Sequence, residues 1–335
     1  MLDGVIFLSW INLRSVWRST ALSMALILVP ISAQQIAFQG LSWGFIYDET
    51  TRSIRPILGI AGASHLGGPV YSGLDYASVA QNGQVALGVT DGQVVLIRGL
   101  ASGQPIADLV NGAIADPEQI LWSTDSTAAI LCSTGRLQHI TRLDSTPVAE
   151  TPIDLPSTPL TGRLTTVVAD PSARNVVAGI RGRSGGAVFF VSEYGAVSLL
   201  ASLEDPAAAA FSPDGQDVYL ADRAAERILL FRNVGPGREG TVILDSTNGV
   251  TDPVGLAISI GQLFVISGTQ RTIQSYALPG ITFAGKYQLD SEPRGMEPLF
   301  GSSYYRLIAA PNPGNELWLL DASSPPSIFF VPRGQ

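Results

Sequence analysis

Side chains suited to catalysis are scarce in this sequence. His65, His139 and Cys132 are the only histidines and the only cysteine. A serine nucleophile needs a base to take its proton, usually histidine. His139 falls in the strand-like run Leu137-Gln138-His139-Ile140 and reads as a surface or partly packed strand residue. His65 falls in Gly62-Ala63-Ser64-His65-Leu66-Gly67-Gly68, which reads as a glycine-rich loop, and no nucleophile elbow flanks it. Cys132 ends the apolar run Ala128-Ala129-Ile130-Leu131-Cys132, where a lone cysteine behaves as a small buried hydrophobe. Zinc sites need clustered cysteine and histidine, and haem attachment needs Cys-x-x-Cys-His; the sequence has neither. No cofactor is therefore expected, with calcium left open. Its best candidate ligands are Asp245-Ser246-Thr247-Asn248-Gly249 and Asp252, also ordinary turn chemistry. Arginines are the chemistry that does recur: Arg181 and Arg183, then Arg223 and Arg227, then Arg271.

The elements that position these groups follow from an internal repeat of roughly 40–50 residues. Its clearest unit runs Ala207 to Phe211, turns at Ser212-Pro213-Asp214-Gly215, continues Asp217 to Ala221, and turns again through Asp222 to Glu226. Arg227 to Phe231 follows, then the loop Gly235-Pro236-Gly237 and Thr241 to Leu244. Asp-Gly favours hairpins because glycine accepts positive φ at little cost. The same grammar recurs from Tyr76, Ile120, Thr165, Gly255 and Met296, giving six complete units. Upstream, Trp43–Tyr47 and Ser53–Ile60 read as the third and fourth strands of another unit, with Ile36-Ala37-Phe38 as one more strand. No single unit could bury both faces of its sheet, whereas a closed ring of units can. The expected fold is all-β: a β-propeller of seven four-stranded blades, or alternatively six blades and an N-terminal hairpin.

Phe211-Ser212-Pro213-Asp214-Gly215-Gln216-Asp217-Val218-Tyr219-Leu220-Ala221-Asp222 resembles the repeat of bacterial YVTN-type and lactonase-like propellers, related to the WD40-like and NHL-like group. The Gly-His and Trp-Asp dipeptides of true WD40 repeats are absent. The resemblance implies a secreted propeller that binds something. It carries no catalytic residues across, because this fold hosts unrelated activities.

Arg14 and Arg18, the apolar run Ala21–Val29, Pro30 and the small exit Ile31-Ser32-Ala33 form the three parts of a signal peptide. Residues 1–33 are thus expected to be removed, leaving one domain over 34–335, secreted or periplasmic. The alternative is an uncleaved anchor, although the run is shorter than the roughly 20 apolar residues of a span. The formal net charge of −8 disfavours nucleic acid as a partner.

In a propeller, the second-to-third turns and the fourth-to-first connections share one face. Arg181, Arg183, Arg223, Arg227 and Arg271 would then lie together on it, and arginine's planar fork suits an anionic partner. The first functional reading is a non-enzymatic, monomeric module that binds a protein or glycan through that face. The alternatives are a lactonase- or lyase-like enzyme at the central channel and a structural part of a cell-envelope assembly. Exposed aromatic patches involving Trp43 or Trp122 would favour the last.

Overall fold

A computed structural model describes residues 42–156, 162–301, 303–309 and 317–332. The signal or anchor segment and the strand expected at Ile36–Phe38 lie outside them. The described residues form an all-β propeller of seven antiparallel sheets, each built from one continuous stretch of sequence. Blade one spans Ser42–Ser72 and blade two Tyr76–Leu109. Blades three to seven span Gln119–Asp154, Arg163–Leu203, Pro206–Leu244, Pro253–Gln288 and Pro293–Val331. Among the described residues no helix is long and apolar enough to cross a membrane.

Blade five shows how the sequence makes a blade. Its strands are Pro206–Phe211, Val218–Asp222, Arg227–Phe231 and Thr241–Leu244. The first turn closes when Gly215 N–H donates to the Ser212 carbonyl at 2.8 Å. Asp214 Oδ1 accepts the Gln216 N–H at 3.1 Å, and Gly215 takes the φ of +73° that favours glycine. Proline at Pro206, Pro253 and Pro293 opens a first strand, a position where a missing ladder N–H is tolerated. One residue beyond each of these prolines the pairing to the second strand slips by a residue, a bulge that adds twist next to the axis.

Hydrophobic cores lie between blades rather than within them. Val188 and Phe190 of blade four pack with Leu220, Leu229 and Phe231 of blade five. Tyr219, Ile228 and Leu230, on the opposite side of blade five, pack with Leu256, Leu263 and Tyr276 of blade six. Strand alternation thus sends successive residues into two different interfaces. Burying one such Leu, Ile or Phe contributes about 1.5–3 kcal/mol.

The ring closes where Ile46, Ile57 and Leu66 of blade one meet Leu319, Phe329 and Val331 of blade seven. Trp43 lies 6.3 Å from Phe300, 5.4 Å from Tyr304 and 5.3 Å from Phe329, centroid to centroid. Leu66 N–H donates to the Pro332 carbonyl at 3.1 Å. The seven-blade expectation therefore holds.

Blade one corrects two details. Ser53–Ile60 is not its outermost strand, because Ala63–Leu66 and Tyr71–Ser72 both pair on its far side. Asp48 pairs with Ser53 as Asp222 pairs with Arg227 in blade five, so Trp43–Tyr47 and Ser53–Ile60 occupy the second and third positions. His65, expected in a loop, belongs to the strand Ala63–Leu66, whose alternation buries Ser64 and Leu66 and leaves His65 exposed.

Candidate functional site

One face of the ring carries the turns between second and third strands together with the connections from each blade to the next. Backbone bonds stitch the two sets: Arg223 N–H donates to Asp205 O at 2.8 Å, and Leu289 N–H to Arg271 O at 2.7 Å. We call this the upper face.

Three of the expected arginines meet there through carboxylates of the connections. Asp205 is buried just before the first strand of blade five. Its Oδ2 accepts from Arg181 of blade four and from Arg223 of its own blade, the latter at 2.7 Å. Asp222 is wholly buried; it accepts from Arg227 at 3.0 Å through one oxygen and from the Asp205 N–H at 2.9 Å through the other. Asp252, at the head of blade six, accepts the Thr269 N–H at 2.9 Å and lies 3.9 Å from Arg223. Arg183 and Arg271 are also on this face, outside any ion pair among the described residues. Arg271 adopts φ +52°, a left-handed turn conformation, and offers its carbonyl to Gln288 Nε2 at 3.1 Å. Arg181, Arg223 and Arg227 thus form one cluster, with Arg183 and Arg271 outside its bonds.

A rule underlies this arrangement. At three blade heads, Asp75, Asp205 and Asp252, the acidic residue takes a donor from its own blade's turn and faces an arginine from the blade before. Asp75, heading blade two, accepts the Asp91 N–H at 3.0 Å and the guanidinium of Arg52 in blade one. Sequence reasoning found the arginines, named Asp252 only as a candidate calcium ligand, and missed Arg52, Asp75 and Asp205. The signal was present in the repeated dipeptides Asp205-Pro206 and Asp252-Pro253.

A second polar group, also missed, stands beside the axis on blade seven. Glu297 in the first strand pairs across to Arg306, whose Nη1 is 3.3 Å away, and Arg306 Nη2 reaches Glu49 of blade one at 3.6 Å. Protein surrounds the Glu297 carboxyl and this burial pushes its pKa up, against the opposing pull of Arg306. The side chain nevertheless keeps 42% exposure. Tyr76 heads the first strand of blade two; its phenol is pushed up chiefly by burial, and Glu297 adds to the shift.

The remaining candidates are held as structure. Asp245 Oδ1 caps a short 3₁₀ turn by accepting the Thr247 N–H at 2.8 Å and hydroxyl at 2.5 Å. No group of three or more His, Cys, Asp or Glu side chains is arranged to hold a metal ion among the described residues. His139, expected at the surface or partly packed, is instead buried facing blade four, and burial holds its pKa below the usual histidine range; Glu150, a bond to Ala173 and Asp170 oppose this. Cys132 is buried, which pushes its thiol up. Gly182-Arg183-Ser184-Gly185-Gly186 has the spacing of a nucleophile elbow, yet it joins two antiparallel strands, whereas an elbow joins strand to helix. Trp43 and Trp122 are half-buried, and Trp122 Nε1 donates to Ser78 Oγ of blade two at 3.0 Å.

No family model and no curated protein matches this sequence. Solved structures do. A functionally unknown protein from Desulfotomaculum acetoxidans aligns over 87% of this chain and 100% of its own, with TM-score 0.58 and 14% identity. The periplasmic gluconolactonase PpgL of Pseudomonas aeruginosa aligns over 87% of this chain and 95% of its own, with TM-score 0.57 and 16% identity. Regucalcin of Agrobacterium tumefaciens, described as a calcium-binding protein, aligns over 79% and 85%, with TM-score 0.50 and 16% identity. Lactonase-like propellers are thus among the neighbours, and at these identities the likeness establishes the fold the protein shares with them.

Proposed function

We propose that the protein is an exported binding propeller. Its upper face over blades four to six holds an acidic protein segment or a carboxylate-bearing glycan. The observation that carries this reading is the clamping of two guanidinium groups on one buried carboxylate. Arg181 and Arg223 are fixed by Asp205 yet remain 44% and 42% exposed. A guanidinium has five N–H donors, and those turned to solvent are already oriented. A ligand that accepts from them loses little side-chain freedom on binding. Arg183 and Arg271 flank the cluster with no ion pair to break among the described residues.

Polygalacturonate, with neutral dextran as control, serves as the carboxylate-bearing probe. Replacing Arg183 and Arg271 together by glutamine leaves the clamped arginines in place. It is expected to weaken binding at least about tenfold, from the loss of charge-assisted hydrogen bonds. Absence of binding by the native protein, or equal binding by a variant of unchanged thermal stability, overturns the reading.

One observation favours a second reading, hydrolysis of a lactone beside the axis. A carboxyl raised by burial and set against a guanidinium, as Glu297 is against Arg306, is a candidate proton-transfer group. A gluconolactonase is among the structural neighbours. Titrating acid release from δ-gluconolactone with the native protein and Glu297→Gln tests this. A native rate equal to the buffer rate removes it.

A further inference from the structure

Three Asn-Gly pairs occur in the sequence: Asn82-Gly83, Asn111-Gly112 and Asn248-Gly249. Asn-Gly is the dipeptide most prone to rearrange, because glycine lets its own backbone nitrogen approach the preceding side chain. The Gly nitrogen, after losing its proton, attacks the Asn Cγ. The bond from Cγ to the amide Nδ2 breaks, and that nitrogen leaves as ammonia. Water then opens the resulting succinimide at either carbonyl, giving aspartate or isoaspartate. The step needs no oxidant and no enzyme, only a free glycine N–H and a free Asn amide.

The fold withholds both from two of the pairs. Gly83 N–H donates to Ala80 O at 2.9 Å, and Asn82 Oδ1 accepts the Gln84 N–H at 2.9 Å. Gly249 N–H donates to Ser246 O at 3.0 Å, and Asn248 Oδ1 accepts the Asp245 N–H at 3.1 Å. Asn111-Gly112 differs on each count. It forms the exposed tip of a turn closed by Ala113 N–H to Val110 O at 3.3 Å. Neither the Asn111 amide nor the Gly112 N–H makes a hydrogen bond among the described residues. Both Asn111 and Gly112 are exposed.

We propose that Asn111 is a site of spontaneous deamidation in the folded protein, and that Asn82 and Asn248 are protected from it. The position gives the reaction a structural consequence. Buried Gln138 of blade three reaches this connection twice: its Nε2 donates to Gly112 O at 2.9 Å and its Oε1 accepts the Ile114 N–H at 2.7 Å. Isoaspartate lengthens the backbone leading into those two anchors and adds a carboxylate to the upper face between blades two and three.

The test is to age the folded protein at mildly alkaline pH and follow the three peptides by mass and by isoaspartyl methyl transfer. Asn111 is expected to convert at least about tenfold faster than the other two, which must first break hydrogen bonds. In urea the three rates should converge, and Asn111→Gln should remove the fast isoaspartyl signal. The proposal is overturned if Asn82 or Asn248 keeps pace in the folded protein. It is equally overturned if Asn111 leads by the same margin in urea, since local sequence and not the fold would then explain the order.

Discussion

Asp205 offers the sharpest test of how the upper face is built. Its carboxylate is only 4% exposed and is held by Arg181 and Arg223, from adjacent blades. Replacing either arginine by glutamine leaves the other in place, and that arginine is about half in water. A hydrogen bond to a charged group contributes about 1.5–3 kcal/mol, reduced towards about 1 kcal/mol for a solvent-screened partner. Each single variant should therefore cost about 1 kcal/mol. The double variant removes both cations and leaves a buried carboxylate with no remaining donor among the described residues, a situation that costs about 3–5 kcal/mol. The two substitutions are thus expected to be more than additive, with a coupling of about 1–3 kcal/mol. Urea unfolding of the four proteins in the cycle measures this, and the double variant should also melt several degrees below the sum of the singles. A strictly additive double variant costing under about 2 kcal/mol would falsify the idea that one buried carboxylate joins blades four and five.

His139 makes stability acid-sensitive. Its folded pKa lies below the unfolded value, so the unfolded protein takes up the proton first and stability falls as pH drops through the ordinary histidine range, about 6.5. Melting temperature against pH should show that slope in the native protein and a flatter one in His139→Gln. Phe231 is buried between blades four and five, and Phe231→Ala should cost about 3–5 kcal/mol in urea unfolding. Gly240 tightens that site, since a Cβ there would stand 2.4 Å from the Phe231 ring, so Gly240→Ala should also destabilise. Cys132, 1% exposed, should react with a thiol reagent only after denaturant is added; rapid labelling of the folded protein would contradict its burial.

The ring was legible because each blade announces itself locally. Ser212-Pro213-Asp214-Gly215 fixes its hairpin through contacts a few residues apart, and repetition multiplies such signals. Blade one was misread because its outer strand is interrupted between Leu66 and Tyr71 and is too short to show a period. The clusters on the upper face were half legible. Arginines at turn positions stand out in an acidic protein, but their partners sit on other blades: Arg181 is 24 residues from Asp205 in sequence. Glu297 and Arg306 meet through strand register, which slips at Pro293/Gly295 and cannot be counted from the residues alone. Hydrogen bonds decide which Asn-Gly is exposed to chemistry, and the dipeptide looks identical in all three places.

The aromatic group of Trp43, Phe300, Tyr304 and Phe329 sits at the one joint whose two sides are far apart in sequence. Six joints are closed by adjacent repeats, but Leu66 and Pro332 stand at opposite ends of the described fold. Loop-closure entropy grows only with the logarithm of length, so this joint costs about 1.5 kcal/mol more than one between adjacent repeats. Aromatic contacts contribute about 0.5–1.5 kcal/mol a pair beyond their buried area, enough for the few gathered here to offset that difference. In kinetic terms the other six joints can form in any order as soon as their own segments exist. The seventh alone must wait until blade seven exists, and until it forms the ring is an open arc with two apolar ends.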